Sequence, residues 1–164
     1  MRSLTAFRSY RSVRGPAESH PDSPPIGDHS STWKSPPACK VLRRSILELC
    51  APDHQNDPTI LDRWLSNKTR AIVSSWIAAP DNSVLVAVEE GMILAVGAIN
   101  NAGHINLNYV SPDARFRGVS RTLLVALEAR AMEHGNARCT LNSTTTALRF
   151  YLGNGYVTEG PPTL

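Results

Sequence analysis

The stretch that most constrains this chain lies between residues 105 and 131, where the apolar spacing changes from that of a strand to that of a helix. Ile105, Leu107 and Tyr109 alternate with polar residues, as one face of a strand does. Pro112 then removes a ladder donor and ends the strand. From there the apolar positions are Val119, Leu123, Leu124, Leu127 and Ala131, which share one side of a helix. A helix therefore begins near Gly118; its first amides have no acceptor within the helix and sit at the positive end of its dipole. Gly118 and Ser120 leave those amides open to an anion, and Arg115, Arg117 and Arg121 surround them with positive charge. Such a turn suits a phosphate, although an ordinary strand-turn-helix with surface arginines carries the same short pattern.

The run Arg115-Phe116-Arg117-Gly118-Val119-Ser120 resembles the Arg/Gln-x-x-Gly-x-Gly/Ala signature of the GCN5-related N-acetyltransferases (GNAT). Arg115 matches the Arg/Gln and Gly118 the glycine, while Ser120 stands where Gly or Ala is usual. A second run, A-L-R-F-Y-L-G-N-G-Y over 147–156, resembles the later Ala-x-x-Phe-Tyr-x-x-x-Gly-Phe helix of the same family, so the likeness covers roughly 84–157. It implies acetyl-CoA as co-substrate, its pyrophosphate held by the turn from Arg115 to Arg121 (Phe116, Arg117 and Val119 included) and its pantetheine extended beside Tyr109 and Val110. It also implies that Tyr151 protonates the departing thiolate and that Thr144, where Asn is common, touches the coenzyme. The family often places a glutamate on the strand here formed by 105–110; none is present, and among His104, Glu89, Glu90 and Asp113 only His104 titrates near neutrality unperturbed. His104 is therefore carried as the candidate base. The implied activity is acetyl transfer by direct attack of an amine, small molecule or peptide, with a non-catalytic acyl-CoA-binding or regulatory module as the alternative. The implied fold is α/β (α+β): a mixed, mostly antiparallel sheet flanked by helices. The family adds one more strand after the one starting near Gly155, so this chain is expected to show a truncated edge, a partner-supplied strand or an atypical C-terminus.

At 164 residues the chain suits one domain with a real core. Six of its twelve prolines (Pro16, Pro21, Pro24, Pro25, Pro36 and Pro37) fall before Val41. The net charge of +3 sits there too: Arg2, Arg8, Arg11, Arg14, Lys34 and Lys40 oppose only Glu18, Asp22 and Asp28. A basic pI located in a tail does not indicate a nucleic-acid-binding domain. Cys39, Cys50 and Cys139 form no CxxC, which suits reduced thiols and a cytoplasmic protein, and the five histidines have no metal-ligand spacing. No apolar run approaches the roughly 20 residues that span a bilayer. A homodimer stays open.

Residues 1–40 are rich in Ser, Pro and Arg without apolar periodicity, which predicts a disordered extension ahead of a domain at 41–164. The first seventeen residues also have the composition of a mitochondrial transit peptide. Removing 1–40 is expected to leave coenzyme binding intact. Helical spacing follows over 41–50, from Asp57 as N-cap with Pro58 behind it, and over 69–79. Trp64 and Trp76 on those helices read as core more than as acceptor contacts. Strands are expected over 83–89, 92–99 and 104–110, the last with His104, Asn106 and Asn108 on one polar face. A right-handed crossover through the helix after Gly118 should then lay 138–142 parallel to 104–110, followed by a last helix over 144–154.

Overall fold

The computed structural model describes residues 2–7, 26–28 and 35–159. Its elements in chain order are β1 (Arg2–Phe7), β2 (Ile26–Asp28), α1 (Ser35–Leu49), α2 (Ala51–His54), α3 (Pro58–Leu65), α4 (Arg70–Ala78), β3 (Asn82–Glu89), β4 (Met92–Asn100) and β5 (His104–Val110). A 3-10 turn (Pro112–Ala114), α5 (Val119–Glu133), β6 (Arg138–Ser143), α6 (Thr145–Gly153) and β7 (Val157–Thr158) complete it. The strands form one sheet in the order β2-β3-β4-β5-β6-β1-β7. All pairs are antiparallel except β5 with β6, which the α5 crossover makes parallel.

The local chemistry follows the sequence closely from α3 onward. The Asp57 carboxylate accepts from the Thr59 and Ile60 amides with Pro58 next in line, and Thr69 caps α4 through the Ile72 amide. Glu90 and Gly91 join β3 to β4 with φ of 49° and 79°, the doubly left-handed turn that matches strand twist. Alternate residues of β3 serve two cores: Leu85 and Ala87 meet α5, while Val84 and Val86 meet α1 and α4. Gly97 lets α5 lie close on β4, since a Cβ there would come within 2.9 Å of Leu127 and 3.2 Å of Leu123.

Three expectations are corrected. First, α1 starts at Ser35, so the boundary at 40/41 falls inside a helix whose Ala38 and Cys39 are buried. Pro36 and Pro37 stand in its first turn, where a missing N–H costs no bond. Second, two pieces of the expected tail are strands: β2 pairs with β3, and β1 pairs with β6 along its whole length, Arg2 opposite Ser143 through Phe7 opposite Arg138. The sheet is thus carried past β6 by a strand from the beginning of the chain, with β7 beyond it. The segment of transit-peptide composition includes that strand; the rest of the expected tail lies outside the described residues. Third, β5 does not alternate uniformly. Its register against β4 slips between Ile99↔Ile105 and Ala98↔Leu107, so β5 carries one extra residue, and exposed Asn106 sits at this bulge. Ile105 therefore packs toward α5 and Leu107 toward α1, and His104, Asn106 and Asn108 do not share one face.

Candidate active site

Strands β5 and β6 pair only at His104↔Thr140 and Ile105↔Leu141. Beyond that point they diverge, and a cleft of about 590 Å³ opens in the wedge. Its walls are residues 104–110 of β5, residues 141–144, the turn into α5, Ser45 and Leu49 of α1 with Cys50 just beyond it, and Phe150 and Tyr151 of α6. A bulged, splayed pair of strands leaves main-chain groups of both edges facing the cleft, where an extended ligand can pair with them.

The turn has the features an anion requires. Gly118 holds φ at 74°, and α5 begins on it without any side-chain cap. The Arg121 and Thr122 amides donate back to the Gly118 carbonyl at 3.1 and 3.0 Å, which leaves the preceding amides at the positive end of a fifteen-residue helix. A Cβ on Gly118 would meet nothing within 4 Å, so the glycine is required by its left-handed backbone and the approach to the turn is open. Phe116, also left-handed at φ 63°, is 91% exposed, with the Arg115 guanidinium carbon 4.5 Å from its ring centroid.

Of the residues singled out from sequence, Tyr109, Val110, Arg115, Phe116, Gly118, Val119, Ser120, Arg121, Thr144, His104 and Tyr151 all line this cleft. Arg117 does not; Glu89 holds its guanidinium at 2.6 and 2.8 Å. The Thr144 oxygen accepts from the Ala147 amide as the cap of α6, so only its O–H proton remains to give. His104 sits at the closed end, Nδ1 2.8 Å from Thr140 Oγ1, where the two strands are still paired. Asp113 is bound to Arg44 and Glu89 to Arg117, so two of the other base candidates are engaged in ion pairs. Trp64 stacks edge-on to His54, and Trp76 packs on the α1–α4 core; neither lines the cleft.

Some lining residues meet the site only through the fold. Leu49 ends α1 and Cys50 follows it as the N-cap residue of α2, while Asn108, read from the sequence only as part of a polar strand face, faces Tyr151 because the bulge turns it. Burial pushes the Cys50 thiol up to about 11, with Asp53 adding to the effect. Burial likewise pushes the Tyr151 phenol up to about 12, against the opposing hydrogen bond of the Asn108 side chain. Tyr109 and Tyr156 are raised in the same direction, again chiefly by burial. A raised phenol means that the folded state holds its proton more tightly than the unfolded chain, whose tyrosines titrate near 10. This contribution is full below about pH 10 and is lost as pH climbs through about 12; Tyr151 alone accounts for about 2–3 kcal/mol. Thermal unfolding followed upward from about pH 9 should show that loss, together with tyrosinate absorbance that appears late and cooperatively.

A family model described as an acetyltransferase (GNAT) domain matches residues 52–164. Among solved structures, a GCN5-related N-acetyltransferase from Rhodopseudomonas palustris superposes with a TM-score of 0.77 at 23% identity, over 87% of this chain and 86% of that one. The PaiA N-acetyltransferase of Thermoplasma acidophilum, solved in complex with coenzyme A, gives 0.69 at 16% identity over 84% and 93%. A GCN5-related N-acetyltransferase from Ralstonia eutropha JMP134 gives 0.61 at 22% identity over 85% and 94%. A search of curated proteins gives no match. With more than half of its length matched by the family model and its sheet shared with these structures, the chain belongs to the GNAT acetyltransferase family.

Proposed function

We propose that the protein transfers the acetyl group of acetyl-CoA to an amine by direct attack, a refinement of the acyl transfer that its family and fold support in general. One observation carries the reading: an uncapped helix start on left-handed Gly118 and a buried phenol, Tyr151, line the same cleft, where β5 and β6 part. In this reading the first amides of α5 bind the pyrophosphate, with Arg115 and Arg121 adding charge. The open edge of β5 at Tyr109 and Val110 pairs with the pantetheine, and Tyr151 gives its proton to the leaving sulfur. The complex of a structural neighbour with coenzyme A supports this use of the cleft. Most of the catalysis is then positioning and polarisation of the thioester. The acceptor, a small-molecule or peptide amine, enters beside Ser45, Leu49 and Cys50.

Calorimetric titration with acetyl-CoA tests this reading. Gly118→Asp is expected to weaken binding by about a hundredfold or more, since a carboxylate would face the phosphates and a side chain must be held at φ 74°. Gly118→Ala adds only the backbone strain and should lose about tenfold. A folded protein that does not bind acetyl-CoA would remove the reading.

A further inference from the structure

On the β5 wall of the cleft, Asn108 Oδ1 is buried without a hydrogen-bond partner among the described residues. The same side chain interacts with the hydroxyl of Tyr151. A carbonyl kept from water is destabilising unless a donor reaches it, and an N–H that enters beside the phenol would supply one. Leu49, Tyr109 and Phe150 line the same cleft, and no carboxylate lines it among the described residues. The charged lining residues are Arg115 and Arg121 at the turn; the titratable ones are Cys50, Tyr109, Tyr151 and His104. His104 precedes Asn108 by four residues, about 13 Å along an extended strand, and is held by Thr140. Asp53 of α2 stands behind Cys50 outside the lining, with Oδ1 accepting the Thr146 amide at 3.0 Å.

We infer that Asn108 positions the acceptor, taking one of its N–H bonds on Oδ1, and that the acceptor is a primary amine which enters uncharged on an apolar body. This inference rests on the acetyltransferase reading above. For such an amine the protons balance without any further base. Its nitrogen attacks the thioester carbonyl carbon; the C–N bond forms, and the C–S bond breaks with its electron pair leaving on sulfur. Tyr151 gives its proton to the sulfur, and the tyrosinate takes the proton that the nitrogen sheds. A neutral amine and a thioester become an amide and a thiol with no proton left over. An ammonium has one more proton to lose, and a carboxamide cannot take it.

The test compares aniline, neutral at pH 7, with benzylamine, an ammonium at pH 7, as acceptors for the full chain, with free thiol as the readout. The kcat/KM for aniline should stay flat from about pH 6 to about pH 9, whereas that for benzylamine should rise about tenfold per pH unit as its neutral form appears. Asn108→Ala should raise KM for aniline about tenfold and leave acetyl-CoA affinity unchanged. Asn108→Asp, which keeps the shape, should bring benzylamine into use at pH 7. Several results would overturn the inference: benzylamine used as well as aniline at pH 7, an aniline KM indifferent to Asn108→Ala, or turnover of neither amine by protein that binds acetyl-CoA. Benzylamine turnover at pH 7 that Asp53→Asn abolishes would assign the acceptor contact to that carboxylate instead. Absence of acetyl-CoA binding is a separate failure, that of the acetyltransferase reading itself, and this inference falls with it.

Discussion

Tyr151→Phe is expected to cut acetyl transfer by about two to three orders of magnitude while changing acetyl-CoA affinity by no more than about twofold. The substitution keeps the ring, and with it the edge-on contacts to Phe150 and Tyr156 at 5.1 and 5.5 Å between centroids, so the cleft keeps its shape. What leaves is the proton. A phenol raised to about 12 is fully protonated at neutral pH, but it is also a reluctant donor. The relevant comparison is with a thiolate in the same surroundings, and the cleft holds a thiol of its own: Cys50 is raised to about 11, chiefly by burial. Desolvation that weakens the acid also makes a departing sulfur more basic, so the two groups shift in the same direction. Donation is therefore less uphill than a comparison with a thiol in water suggests. The activity that survives in Tyr151→Phe measures what positioning alone achieves. Steady-state turnover with an accepted amine, alongside calorimetry, checks both halves. Equal turnover of the two forms would remove Tyr151 from the chemistry and favour a protein that only binds the coenzyme.

The parts of the site that could be read from the sequence are those fixed by local geometry. Gly118 at the start of α5 and the cap-and-proline start of α3 are decided within a few residues, so spacing alone reveals them. Tyr151 was placed by resemblance to a second motif, and the structure brings it to the same cleft as the turn. The facing of Asn108 and the place of Cys50 were out of reach for a different reason. A one-residue bulge is invisible in an alternating pattern, yet it reverses the facing of every later residue in the strand, and Asn108 lies just past it. Cys50 belongs to the site only because α1 packs across β4 and β5. His104 shows what intrinsic chemistry leaves out. Its intrinsic titration range made it attractive as a base, but the strand holds it at the end of the wedge where β5 and β6 are still paired. Prolines misled in the same way: they suggest a tail when counted, and a helix start when Pro36 and Pro37 are seen at the first turn of α1.

Deletion of residues 1–8 is expected to destabilise the protein by several kcal/mol, a large share of the 5–15 kcal/mol typical of a domain, and to weaken acetyl-CoA binding as a consequence. Composition argued the reverse, that everything before Val41 is dispensable. The pairing of β1 decides between them. Its backbone faces β6 from Arg2 opposite Ser143 to Phe7 opposite Arg138, and on its other edge Leu4 and Thr5 face Thr158 and Val157 of β7. Without it, β6 becomes an edge with a row of unpaired donors and acceptors, and β7 loses its partner strand. The consequence reaches the cleft because β6 brings Leu141 to its wall and runs straight into Thr144, the cap of the helix that carries Tyr151. Thr5→Pro is the finer probe, since it keeps the chain length but removes a donor from a strand paired on both sides. Thermal unfolding of the deletion and of Thr5→Pro against the full chain gives the stability term, and calorimetry gives the coupling to the site. Adding back a peptide of residues 1–10 should restore part of both losses to the deleted chain, because an open β6 edge accepts a strand in trans. An unchanged melting temperature and unchanged coenzyme affinity in the deletion would return these residues to the role of a dispensable tail.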